Sequence, residues 1–270
     1  MKQINYKKII RLFTWILVLG TLLFSLGFVS GKESHIVART LNIDILNNDE
    51  NPFLNENDVK QFFESRNDKI LGEEYSRLRI PELEKALNTH PAIEEAEVSA
   101  KLNGEVQVEI KQRTPLLRVI NKSGESYYID TRAKLMPLNE NYTARVLVAS
   151  GEIDEPFDRR ASFSVDQIAS NEIFSKISLL DDLLETARAI TADSVLNALI
   201  HQIYVNQNKE LELFPVIGCQ RIILGDASAL HEKLAELKLF YREGLNKTNG
   251  WQKYSAINLK YRNMVVCTKK

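Results

Sequence analysis

The sequence predicts an α+β protein with a single N-terminal transmembrane helix, a compact β-α-α-β-β unit, and then a mixed β-rich domain with two or more helices. Three observations predict it. Leu12 to Gly31 is a run of 20 residues without a charge. Two alternating apolar/polar runs meet at Asn103-Gly104, the strongest short-range hairpin signal in the chain. Beyond Pro115, short strand candidates recur, interrupted by two amphipathic helical stripes.

The apolar run reads LFTWILVLGTLLFSLGFVSG. Its length matches the roughly 20 residues a helix needs to cross a hydrocarbon core of about 30 Å. Lys2, Lys7, Lys8 and Arg11 precede it, and no acidic residue appears before Glu33. The excess of positive charge places residues 1–11 in the cytoplasm and everything after residue 31 on the far side of the membrane. Val29-Ser30-Gly31 also resembles a signal-peptide cleavage pattern, but the run exceeds the apolar core of about 7–15 residues that signal peptides carry. The expectation is therefore a retained, single-pass anchor over 12–31.

Within 36–112, Leu41, Ile43 and Ile45 alternate with Asn42 and Asp44, as in a half-buried strand. Asn55 can cap a helix through Val59, Phe62 and Phe63, with Asp58 three positions on. Pro81 suits the first turn of a second helix carrying Leu83, Ala86 and Leu87, which stops at His90-Pro91. Ala96, Val98, Ala100 and Leu102 then alternate with charged or polar residues, as do Val106, Val108 and Ile110 after the Asn-Gly pair. A hairpin of this kind buries one face by leaning on the two helices.

From 113 to 267, strands are expected at Leu116–Ile120, Ser126–Asp130, Arg145–Ala149, Gln202–Asn206, Glu210–Phe214, Arg221–Leu224 and Ala256–Val266. One helix carries Ile173, Ile177, Leu180, Leu184 and Ala187; another, from about Asp226, carries Leu230, Leu234, Leu237 and Tyr241. Both stripes are wide enough to be core faces, and neither lasts the heptads of a coiled coil. Residues 268–270 form a short tail.

Net charge is −1, so no global field favours nucleic acid. Cys219 and Cys267 are too few for a disulfide framework; they can pair with each other or lie buried as separate thiols. The histidines are His35, His90, His201 and His231. His231-Glu232 starts like a zinc-protease helix, but Ala235 stands where the second ligand belongs. His90 reads as a helix-end residue near the carbonyl dipole. Asp181-Asp182 are adjacent on a helix and do not share a face, which favours a solvated surface over a metal site. No nucleophile elbow, P-loop or dinucleotide fingerprint occurs. The expectation is no catalytic residue, no metal and no cofactor. An interaction protein follows, and its available tool is the edge of a sheet. The terminal run Ala256–Val266, if it lies at an edge, offers unpaired backbone groups to which a partner can add a strand.

These residues in this order resemble the FtsQ/DivIB cell-division proteins, in the version found in Bacteroidota. The first unit is similar to a POTRA domain. The segment Val106-Gln107-Val108-Glu109-Ile110-Lys111-Gln112-Arg113-Thr114-Pro115 resembles that family's exit from it, and Tyr127-Tyr128-Ile129-Asp130 its following strand. Leu224-Gly225 and Ile257-Asn258-Leu259-Lys260-Tyr261 resemble its closing motifs. The sequence departs from the pattern at Thr131-Arg132-Ala133, where a glycine is usual, and at Asn258 and Lys260, where Asp and Arg are common. The resemblance implies a non-enzymatic divisome scaffold of the cytoplasmic membrane at the septum. It would bind small FtsB/DivIC-type and FtsL-type membrane proteins and help control septal peptidoglycan synthesis, with no nucleic acid and no small-molecule substrate. By position, Lys260, Tyr261 and Asn263 carry partner binding: Tyr261 as an apolar anchor with a polar tip, Lys260 against acidic side chains, Asn263 in support of backbone pairing. The alternatives are a POTRA-bearing assembly or secretion factor, disfavoured because no series of lipid-facing strands follows, and a membrane-anchored periplasmic enzyme, which needs a convergent polar pocket.

Overall fold

The computed structural model describes residues 14–21, 36–47, 52–139, 142–157, 164–169, 178–218, 220–248 and 250–270. The expected anchor lies largely outside them. Residues 14–21 are helical, with Trp15 to Leu19 exposed, and among the described residues no helix is long and apolar enough to cross a membrane. The chain forms two compact units, Met1–Gln112 and Arg113–Lys270.

In the first unit, β1 (Thr40–Leu46) is followed by α1 (Glu56–Ser65), α2 (Ile80–Asn88), β2 (Ile93–Ala100) and β3 (Glu105–Gln112). The strand order is β1-β3-β2, with β1 parallel and β2 antiparallel to the central β3. Asn55 starts α1 through a full capping box: its side chain accepts the amides of Asn57 and Asp58, while the Asp58 carboxylate accepts the Asn55 N–H at 2.9 Å. Pro81 sits in the first turn of α2, where its missing N–H costs nothing. Val59, Phe63, Leu83 and Leu87 from the helices and Val106, Val108 and Ile110 of β3 are all buried in the core of the unit.

One part of the expected pattern fails. Ala96 and Val98 are buried, but Ala100 is exposed and Leu102 lies 72% exposed. The hairpin closes through three residues: the Lys101 amide bonds to the Glu105 carbonyl, and the Gly104 amide to the Lys101 carbonyl. Gly104, at φ +89°, supplies the left-handed residue that such a turn requires. Leu102 therefore sits on the turn and leaves the strand's inward face.

The described residues of the second unit form a nine-stranded mixed sheet in the order β12-β11-β10-β9-β8-β7-β4-β5-β6. Its strands are β4 (Pro115–Ile120), β5 (Ser126–Asp130), β6 (Leu135–Pro137), β7 (Leu147–Gly151), β8 (Ile200–Val205), β9 (Leu211–Pro215), β10 (Arg221–Gly225), β11 (Tyr254–Asn258) and β12 (Val266–Lys269). The helices are α3 (Val165–Ala169), α4 (Leu180–Thr191), α5 (Ser194–Leu199) and α6 (Leu230–Leu239), the last continuing into a π-helical turn, Phe240–Leu245. Leu180, Leu184 and Ala187 of α4, and Leu230, Leu234, Leu237 and Tyr241, join one apolar core with the strands. Ile173 and Ile177, expected on the first of these helices, lie outside the described residues.

The terminal run is the main correction. Ala256–Val266 is not one strand: β11 stops at Asn258, a turn follows, and β12 returns antiparallel to it. Two asparagines cause the break. The Asn258 side chain accepts the Lys260 amide at 2.9 Å, which gives that N–H a local partner in place of a ladder partner. Asn263 adopts φ +58°, a left-handed state that Asn tolerates better than most residues, and the Met264 amide closes onto the Tyr261 carbonyl.

Candidate partner-binding site

The C-terminal hairpin forms one edge of the large sheet. Among the described residues β12 is the outermost strand, and its backbone pairs only with β11. Its other side offers unpaired backbone groups, the template for strand addition. The strand is short and ends in Lys269, and Val266, Thr268 and Lys269 are exposed.

The turn preceding β12 carries the three residues that the sequence singled out, and they behave differently from one another. Tyr261 is exposed, at 57% of its surface, among the described residues. Lys260 is engaged within the chain: its ammonium is ion-paired with Glu210, the residue just before β9. That contact raises the Lys260 pKa and lowers that of Glu210. Its aliphatic stem passes over Gly225, where a Cβ would come within 2.9 Å of the Lys260 Cγ. Gly225 also sits at φ +82°. The small residue at the end of β10 thus lets Lys260 lie flat and reach Glu210. Asn263 shapes the turn, and no strand pairing runs through it.

Beside this turn, the first half of α6 leaves a groove of about 290 Å³ lined by Glu232, Lys233, Glu236, Leu259, Tyr261 and Arg262. Arg262 faces Glu232 at 3.8 Å, and both are well exposed. Lys233 bonds to Asp226 at 2.9 Å, and the Ser228 hydroxyl, followed by that ammonium, holds the Asp226 carboxyl down to about 2. The groove offers one aromatic ring, a buried leucine floor and charges of both signs.

The polar residues weighed as chemical candidates resolve into structural roles. His90 accepts the Ala92 amide through Nδ1 and meets the Phe62 ring edge-on; burial pushes its pKa below the usual histidine value. His90 lies two residues beyond the last residue of α2, at the helix end where its position in the sequence puts it. Asp182 is half-buried, and burial followed by the neighbouring Asp181 raises its pKa. Among the described residues, no group of His, Cys, Asp and Glu converges as a metal site. Cys267 is a free, half-buried thiol whose pKa burial raises; Cys219 lies outside the described residues.

Two motif residues that the sequence left separate come together at the start of the second unit. Arg113 pairs with Asp130 at 2.7 Å, with 13% and 1% of their side chains exposed. The other Asp130 oxygen accepts the Lys134 amide at 2.6 Å. This pins the start of β4 to the end of β5, two strands that are already neighbours.

Two family models match the chain. A POTRA-like domain model matches residues 36–111. A model described as FtsQ/DivIB, C-terminal related, matches residues 114–268, more than half of the chain.

The chain belongs to the FtsQ/DivIB family.

A search of the curated proteins found no match. Membership makes this FtsQ/DivIB-type protein a division-associated scaffold in the broad sense, built from domains that are typically non-enzymatic. The motifs that carry the family resemblance acquire physical meaning here. Leu224-Gly225 and the Ile257–Tyr261 run meet through Lys260, and the arginine before Pro115 meets the aspartate that ends β5. Sequence reasoning missed Glu210, because nothing in its local pattern announces a partner in a turn 50 residues downstream.

Proposed function

We propose that this FtsQ/DivIB-type protein is a scaffold of the cytoplasmic membrane at the division septum. It links FtsB/DivIC-type and FtsL-type membrane proteins and helps control septal peptidoglycan synthesis. The observation that carries the reading is the open outer edge of β12 beside an exposed tyrosine. Main-chain pairing along such an edge supplies affinity, and an aromatic anchor at its end supplies specificity. Lys260 acts in this reading as the residue that fixes the turn, since its charge is already matched by Glu210. Arg262, well exposed on the turn and only 3.8 Å from the equally solvated Glu232, exchanges that loose contact for an acidic partner side chain in this reading.

The N-terminal apolar run supports placement in the same bilayer as the partners. Tethering two components to one membrane raises their effective concentration, so a short edge strand is enough for assembly. Depletion of the protein in its host tests the reading. The expected phenotype is filamentous cells with unfinished septa; normal division after depletion contradicts it.

A further inference from the structure

The first unit carries an apolar patch that neither its core nor the family reading uses. Leu102, on the β2–β3 turn, is 72% exposed, Leu71 is 50% exposed and Val37 is 38% exposed. Turn positions are normally filled by Gly, Asn, Asp, Pro or Ser. The three residues belong to segments stitched together by backbone hydrogen bonds. The Gly72 amide bonds to the Ala38 carbonyl at 2.8 Å, and the Arg39 amide to the Gly104 carbonyl at 2.7 Å. Val37 also bridges to Glu74, and the Tyr75 hydroxyl donates to the Lys101 carbonyl at 2.9 Å. Leu71 and Leu102 therefore flank Val37 at the end of the unit where the chain arrives from its N-terminal segment.

Chain length says what faces that end. The apolar run stops at Gly31, and the described domain starts at Ile36. Five residue steps span at most about 18 Å. If the run crosses a bilayer, as the proposed function holds and as this inference requires, Val37 cannot stand far from the lipid headgroups. We infer that Val37, Leu71 and Leu102 dock this end of the POTRA-like unit onto the bilayer surface. Arg39, Lys69 and Lys101 border the patch, and their long stems allow the charged heads to stay in the headgroup layer while the leucines enter it. Glu73 and Glu105 stand among these cations, at 3.9 Å from Lys69 and 3.0 Å from Lys101; Glu74 bridges Val37, and Lys60, Glu64 and Asp68 share the groove of Arg39 and Lys69. The patch thus has little net charge, and apolar insertion supplies the attraction. A zwitterionic bilayer is sufficient. Docking fixes the orientation of the first unit at the membrane, so the anchor acts as more than a flexible tether.

The test uses the full chain in phosphatidylcholine nanodiscs, with Cys219→Ser and Cys267→Ser, and a nitroxide at Asn103→Cys beside the intact Leu102. A second label at Glu97→Cys reports on the exposed outer face of the same sheet. The expected result is a ratio of oxygen to nickel-chelate collisions at least threefold higher at 103 than at 97. Leu102→Asp together with Leu71→Asp should bring the two together while the circular dichroism spectrum stays unchanged. Equal ratios in the parent chain, with the protein still held by the discs, overturn the docking and leave the anchor standing. A chain that does not stay with the discs overturns the anchor and the docking with it. Shielding of 103 in native membranes but not in discs that hold this chain alone assigns the patch to a protein partner and overturns bilayer docking.

Discussion

Replacing Asp130 by Asn probes the ion pair at the start of the second unit. Arg113 and Asp130 lie 2.7 Å apart with 13% and 1% of their side chains exposed, so little solvent is available to either charge. Removing one partner of a buried pair leaves the other charge uncompensated and typically costs about 3–5 kcal/mol. Asparagine keeps an oxygen for the Lys134 amide, now accepted at 2.6 Å, so the variant isolates the charge. In a unit of this size, about 1 kcal/mol moves the melting temperature by roughly 2–4 °C. Asp130→Asn should therefore lower it by roughly 10 °C. Arg113→Met combined with Asp130→Asn removes both charges and should recover at least half of that loss, because the penalty belongs to the orphaned charge. Urea denaturation of Asp130→Asn, of Arg113→Met alone and of the double variant measures both terms. A loss under about 1 kcal/mol for Asp130→Asn, or a double variant whose cost is the sum of the singles, refutes the reasoning.

Other substitutions test the packing elsewhere. Asn55→Ala removes the capping box of α1 and should destabilise the first unit by about 1 kcal/mol in the same assay. The Tyr241 hydroxyl is buried and has no hydrogen-bond partner among the described residues, and burial pushes its pKa up to about 12. Tyr241→Phe should leave stability unchanged or raise it by about 1 kcal/mol. The native tyrosine should also cost stability as pH rises from about 10, where the unfolded phenol ionises, towards about 12, and the phenylalanine variant should not show this loss. Asp226, held down to about 2, contributes stability that is complete above its unfolded pKa near 4 and is lost as pH falls through about 2. The carboxylate is largely exposed, so the effect of Asp226→Asn on acid unfolding should be small but confined to that window.

The local signals in the chain were legible where local chemistry alone decides structure. Asn55, Pro81 and the alternation through Val106–Ile110 each specify a cap, a first turn or a buried strand face without help from distant residues. The register of Leu102 was not legible. Strand alternation runs on in the sequence, whereas Gly104 at positive φ ends it in space. The eleven residues of the expected last strand misled for a related reason. Ile257 and Leu259 both point into the core, and the alternation gave no sign that Asn258 would take the Lys260 amide. β6 spans only Leu135–Pro137, too short for any period to show. At the candidate site, Tyr261 could be picked out by resemblance, but the Lys260–Glu210 pair and the edge position of β12 could not. Both depend on which strands become neighbours, and that is settled by the whole sheet.

The central claim is that a division partner adds to the outer edge of β12. Hydrogen exchange at the amides of Val266–Lys269, with and without a bound FtsB/DivIC-type partner, tests it most directly. Outward-facing amides on this edge should slow at least tenfold in the complex, and Tyr261→Glu should abolish that protection while the chain stays folded. Unchanged exchange across Val266–Lys269 in a complex that demonstrably forms would place the partner elsewhere and contradict the account.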